Sequence, residues 1–266
     1  MTAYAPTWLA LREEADAAAR AGELLGPLRA HLPPPGEPLV IWDLGCGTGA
    51  LGRWLAPRLP GPQHWVLHDR DPGLLEEARA NTYRTADGAP ATLETREGDL
   101  ADLHAADLVG ASLVAASALL DVLTAEQVDG IAAAACCPAL LTLSVAGRVR
   151  LFPSDPLDGA IGAAFDAHQR RHGLLGPDAP AAAATAFRRR GATVATRPSP
   201  WRLGPAQAAL AREWLRGWVG AAVEQRPDLA EPAAEYLRRR LGECDAGRLT
   251  VEVHHIDLLA LPGSAS

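Results

Sequence analysis

Short apolar runs alternate with longer stretches of mixed polarity through the first half of the chain. Leu39-Val40-Ile41-Trp42, His64-Trp65-Val66-Leu67-His68, Thr92 to Arg96, about Ser112 to Ser117 and Ala139 to Val145 have the length of strands. The stretches between them carry helix punctuation. One helix spans 7 to 30 and stops at Pro33-Pro34-Pro35-Gly36. A second runs from about Ala50 to Leu59, closed by Pro60-Gly61-Pro62. A third starts at Pro72 and runs through Arg79, with proline near its N-terminus as helices prefer, and another follows Thr124. Strand and helix alternating at this spacing predict βαβ units and a parallel sheet. Right-handed crossovers then gather the loops that follow the strands on one edge, where ligands of such sheets bind.

The second half changes character. Strand-like Ala192 to Arg197 leads into Pro198-Ser199-Pro200-Trp201, two helical stretches follow at roughly Pro205 to Gln225 and Leu229 to Leu241, and a long strand reads Arg248 to Leu261. The last two strands are therefore joined by a helical insert.

Asp43-Leu44-Gly45-Cys46-Gly47-Thr48-Gly49 carries the strongest chemical signal. A strand that turns sharply into a helix against a ligand needs residues that accept positive φ and leave room for the ligand, and glycine does both. The helix N-terminus then offers free N–H groups to an anion. Gly45-x-Gly47-x-x-Ala50 with Asp69 about twenty residues on also satisfies the loose dinucleotide pattern. Three features favour another ligand: Asp43 precedes the first glycine, Asp69 ends the second strand before Arg70-Asp71-Pro72, and Gly98-Asp99-Leu100 ends the third.

These motifs resemble the class I S-adenosylmethionine (SAM) dependent methyltransferases, specifically between residues 43 and 121 and by topology from about Leu39 to Pro262. The resemblance implies an α/β, Rossmann-like fold with a seven-stranded, mostly parallel sheet and an antiparallel last strand. It implies one domain over 1–266: an N-terminal helical lid (1–36), a SAM-binding core (37–200), a helical cap insert (201–247) and a final strand and tail (248–266). By the same resemblance Asp43 and the loop of Gly45, Cys46, Gly47 and Gly49 hold the methionine part of SAM. Asp69 takes the ribose hydroxyls, Arg70 lies beside the adenine, Asp99 bonds the adenine amino group with Leu100 packed nearby, and Ser117 to Leu120 lie near the sulfonium and the acceptor.

Methyl transfer needs alignment of acceptor, methyl and sulfur, and a general base only when the acceptor must lose a proton early. Arg12, Asp16 and Arg20 stand four apart on one helix face, either as a surface ladder or as a lid whose Arg20 reaches the SAM carboxylate. Asp121, after the fourth strand, falls near the carboxyl edge as a catalytic candidate or a turn acid. Ile161, Phe165, His168 and His172 share a helical face; His168 is the preferred general base there, with His172 in the substrate pocket. Trp201, Trp214 and Trp218 form either core or an aromatic wall for an acceptor. His254, His255 and Asp257 offer no third ligand at a sensible spacing, so no metal is expected. An Asn/Asp-Pro-Pro-aromatic motif of the kind used on exocyclic amines is missing after the fourth strand.

Composition narrows the partners. The net charge is −7 and all 25 basic residues are arginine, a balance that argues against nucleic acid. Arg188-Arg189-Arg190 and Arg238-Arg239-Arg240 are read as basic helix ends rather than an RNA patch. No run reaches the roughly 18 apolar residues of a membrane span, no signal-like core opens the chain, and the four cysteines form no CxxC, so a cytoplasmic location is expected. The expectation is methyl transfer from SAM, with S-adenosylhomocysteine (SAH) as product, to a small molecule of specialised metabolism, by a monomer or homodimer. The alternatives are an RNA or protein methyltransferase, a SAM-binding regulator without transfer, and an NAD-dependent dehydrogenase.

Overall fold

A computed structural model describes residues 6–34 and 36–263; Pro35 of the proline stop, the first five residues and the last three lie outside the described residues. In chain order the elements are α1 (Pro6–Ala19), α2 (Leu25–Arg29), β1 (Leu39–Leu44), α3 (Ala50–Leu55), β2 (Gln63–Asp69), α4 (Pro72–Arg79), β3 (Thr92–Glu97), β4 (Leu113–Ser117), α5 (Ala125–Ala134) and β5 (Ala139–Phe152). There follow α6 (Asp158–Gln169), α7 (Ala179–Arg189), β6 (Thr193–Pro198), β7 (Trp201–Leu203), α8 (Ala208–Gln225), α9 (Ala230–Asp245) and β8 (Thr250–Leu261).

The strands form one sheet in the order β3-β2-β1-β4-β5-β8-β6, with β7 also paired to β8. The first five pair in parallel, and β8 runs against β5, β6 and β7. Strand order reverses between β1 and β4, so the glycine loop after β1 opens at the switch point where such sheets bind ligands. The mostly parallel α/β sheet agrees with the sequence reading; the count does not, because Trp201–Leu203 makes an eighth strand after the Pro198-Ser199-Pro200 interruption.

Local chemistry sets the helix starts. Asp71 caps α4 by accepting from Gly73 N at 2.9 Å, with Pro72 in the first turn. Thr124 and Gln127 form a reciprocal capping box on α5. The central strands β1, β2 and β4 are buried on both faces, as parallel sheets require. One face packs Trp42, Val114 and Leu141 with residues of α5 and α7, and the other packs Ile41, Trp65 and Leu113 with α2, α3 and α4. A third apolar cluster joins α6, α8, α9, β7 and the start of β8.

The single N-terminal helix expected over 7 to 30 is interrupted after Ala19. Its cause lies far along the chain. Ala21 N–H leaves the helical ladder and donates to Asp257 Oδ2 at 2.8 Å. Asp257, 1% exposed on β8, also accepts from Leu143 N at 2.7 Å and from Ser199 Oγ. Leu143 has φ +57°, where the register between β5 and β8 shifts. One buried carboxylate thus fixes the helix break, a bulge in β5 and the bend between β6 and β7.

Candidate cofactor and acceptor sites

The glycine loop is a backbone cradle. Gly45 has φ +62°, and a Cβ there would come within 2.7 Å of Leu119 Cδ1. Gly49, at φ +83°, sits at the N-cap of α3. Cys46 N donates to His68 O at 3.0 Å and Gly47 N to Asp69 Oδ2 at 2.9 Å, which ties the loop to the end of β2. Asp69 Oδ1 accepts from Asp71 N at 3.1 Å. Behind the loop, Arg53 donates to Thr48 O at 2.6 Å and holds Glu13 of α1 through both carboxylate oxygens at 2.6 Å each.

The loop opens on a cavity of about 600 Å³. Of the sequence-named residues, Arg20, Asp43, Gly45, Cys46, Gly47, Asp69, Arg70, Asp99, Leu100 and Ser117 line it; Gly49 does not, and acts through the turn. Asp99 also caps a short turn by accepting from Ala101 N at 2.9 Å. Burial pushes the Cys46 thiol up, so it is a packed, protonated side chain here. Thr48 of the same loop lines the cavity as well, and so does His68, which sequence reading missed.

The electrostatics of this cavity are incomplete in one particular way. Arg20 is 6% exposed; its Nη2 donates to Ser117 Oγ at 3.0 Å, while Nε and Nη1 have no partner among the described residues. Asp43 is 1% exposed, and neither of its oxygens has a partner among the described residues. Burial lowers the proton affinity of Arg20 and pushes the Asp43 carboxyl up to about 8, the nearby Arg20 opposing that rise. Unmet donors on a guanidinium and unmet acceptors on a carboxylate, both dry, match the carboxylate and ammonium ends of an α-amino acid. The residues therefore fit the methionine end of SAM.

A second cavity of about 140 Å³ shares Arg12 and Ala118 with the first. Trp8, Phe165, Trp201 and Trp214 line it, with Asp121 and Asp166 among its polar groups. Arg12 pairs with Asp16 at 2.9 Å and lies over the Trp201 ring, while Trp201 Nε1 donates to Asp16 Oδ1 at 2.9 Å. The arginine–aspartate ladder expected on α1 is thus a buried seam between α1 and β7. Burial pushes the Asp121 and Asp166 carboxyls up. His255 also lines the cavity; burial and Arg12 push it down to about 3, so it is neutral at physiological pH. Asp166, His254 and His255 were not assigned to a pocket by sequence reading; for the two histidines, polar residues inside the apolar run of β8 were the available signal.

The remaining candidates lie elsewhere. His168 lines neither cavity; it pairs with Glu224 of α8 at 3.1 Å and also contacts Arg171. His172 falls past the end of α6 with φ +58°, so it does not share the helical face of Phe165 and His168. Trp218 stacks on Trp214 at 5.0 Å between ring centroids, is 2% exposed and lines neither cavity. The arginine run at 238–240 lies inside α9, not at its end, and Arg240 is buried against Asp158 at 2.6 Å. Arg189 pairs with Asp129. No helix among the described residues is long and apolar enough to cross a membrane.

Residues 41–137 match the family model described as "Methyltransferase domain". The chain is similar to the biotin biosynthesis bifunctional protein BioCD of Bordetella avium, at 48% identity over 61 residues, which is 23% of this chain and 13% of that protein. Among solved structures it is similar to a cyclopropane synthase of Mycobacterium tuberculosis (TM-score 0.47, 12% identity, 90% of this chain and 83% of that one). It is also similar to a SAM-dependent methyltransferase of Geobacter sulfurreducens in complex with SAH (TM-score 0.44, 17% identity, 97% and 99%). The match over 41–137 covers the strands that carry the glycine loop, and the unmet polar groups of Arg20 and Asp43 at the end of β1 fit the amino-acid end of SAM.

Proposed function

We propose that this chain transfers the methyl group of SAM to a small-molecule acceptor held in the second cavity. The observation that carries this reading is the shared wall: Arg12 and Ala118 line both the cofactor cavity and the smaller, aromatic-walled one beside it. Bound SAM supplies a methyl group on a positively charged sulfur, open to in-line displacement.

The chain's own residues do the holding. Arg20 grips the carboxylate end and Asp43 the ammonium end of the cofactor. Asp69 accepts from the ribose hydroxyls, and Asp99, with Leu100 and Arg70, frames the adenine. Ser117 orients Arg20. Residues 1–36 act as a lid and 201–247 as a cap, and α1 is pinned in place by Glu13 on Arg53 and by Asp16 on Trp201. Closing the site in this way excludes water and aligns the reactants, which supplies most of the acceleration such a transfer needs. Asp121, with its raised proton affinity, serves as the base where the acceptor must shed a proton, worth about 10²–10⁴-fold. Trp201 and Trp214 flank the acceptor. The protein works in the cytoplasm, on a substrate of specialised metabolism.

The test is to incubate the protein with methyl-labelled SAM and a bacterial small-molecule extract freed of protein and RNA. Labelled product is expected. Val145→Phe, which fills the second cavity from a residue that does not line the first, should abolish it while SAH still binds. Undiminished transfer by that variant would refute the second cavity as the acceptor site.

A further inference from the structure

The second cavity is chemically one-sided. Four aromatic residues, Trp8, Phe165, Trp201 and Trp214, wall it. Against them stand two carboxylates with little compensation. Asp121 is 7% exposed, lines the cavity, and its Oδ1 has no hydrogen-bond partner among the described residues. Asp166 forms no ion pair among the described residues, and its Oδ2 packs close to Gly147, where an added Cβ would come within 3.0 Å. The positive groups do not cancel them. Arg12 is engaged by Asp16 and by the Trp201 face, Arg148 stands exposed, and Arg170, whose charge reaches Asp166, is paired with Asp178. His255 is held neutral, and His254 is 3.7 Å from Glu252 on its own strand.

A buried carboxylate oxygen without a donor is costly unless a cation completes it. Aromatic faces around the same space attract cations and accept an apolar body. We propose that the second cavity seats a protonated primary or secondary amine carried on an apolar body, with Asp121 as the carboxylate that pairs with the ammonium and takes its proton. This rests on the methyl-transfer reading and names the acceptor class for it. The proton moves from the ammonium nitrogen to an Asp121 oxygen; the products of that step are a neutral amine with a free lone pair and a neutral carboxylic acid. Burial of Asp121 narrows the gap between the two proton affinities and so eases the step. Asp166 adds attraction for the cation without taking the proton.

The experiment is calorimetric titration of SAH-loaded protein with isobutylamine, hexylamine and phenethylamine, each beside its isosteric alcohol. At least one amine should bind ten times or more tightly than its alcohol. Asp121→Asn should weaken that amine about tenfold while leaving the SAH titration and alcohol binding as in the native protein. Equal binding of amine and alcohol, failure of every amine to bind, or native amine affinity in Asp121→Asn would each overturn the amine assignment and leave the cofactor site standing. Failure of SAH itself to bind would instead overturn the methyl-transfer reading, and the amine assignment with it.

Discussion

Arg20 at the end of α1 donates from Nη2 to Ser117 Oγ at the end of β4 across 3.0 Å, and its other guanidinium nitrogens are buried beside the cofactor cavity. The contact joins the N-terminal helix to the edge of the sheet at the point where the amino-acid end of SAM would lie. Replacing Arg20 by Ala should remove a charge-assisted pair of about 1.5–3 kcal/mol, a loss of SAH affinity of about 10- to 150-fold. Ser117→Ala should cost less, because it loosens the arginine without removing it. Calorimetric titration with SAH checks both; native affinity in Arg20→Ala would remove the residue from the site.

Asp43 gives the cofactor site a pH signature. Its carboxyl is raised from 3.8 to about 8 in the free protein, so it holds a proton at neutral pH. A bound ammonium favours the ionised form. Binding of SAH at pH 7 should therefore expel a proton, and affinity should rise toward pH 8 by at most tenfold per unit. The sign for stability is the reverse. Between the ordinary carboxylate range and pH 8 the native state holds a proton that the unfolded chain has lost, so the free protein should lose stability as pH rises through that window. Titration in buffers of different ionisation enthalpy, on native protein and Asp43→Asn, reads the proton directly; the variant should release none.

Asp257 should matter for stability more than for chemistry. Asp257→Ala strands the donors of Ala21, Leu143 and Ser199 in a buried setting, at about 1–3 kcal/mol each. A loss of at least 3 kcal/mol corresponds to a fall of about 6–12 °C in Tm. Calorimetry measures it. A change under 2 °C would mean these junctions hold without the carboxylate.

His168→Ala should leave turnover within about twofold of native, since the imidazole pairs with Glu224 away from both cavities. A tenfold loss in steady-state kinetics would return it to the chemistry.

What the sequence made legible was local. The glycine loop announces itself because positive φ and close packing demand glycine at fixed spacing, and α4 and α5 announce their starts through Asp71-Pro72 and the pair Thr124 and Gln127. Asp43, Asp69 and Asp99, which the resemblance implies for the cofactor, stand at the ends of β1, β2 and β3 and line one cavity. The second cavity is not legible in that way. Helical spacing raised His168, but where that histidine points is decided by Glu224, 56 residues away. The break after Ala19 is imposed by Asp257, 236 residues from Ala21. Trp201–Leu203 is a three-residue strand behind a proline, too short for periodicity to register, and pairing with β8 alone defines it. Asp121 could be placed at the sheet edge, but its company of Asp166 and four aromatic rings comes from α1, α6, α8 and β7 meeting across the fold.

The most direct measurement is transfer of label from methyl-labelled SAM into a whole bacterial extract, separated afterwards into small molecules, RNA and protein. The account predicts label in the small-molecule fraction, absent when Val145→Phe replaces the native protein. Label confined to RNA or protein would contradict it.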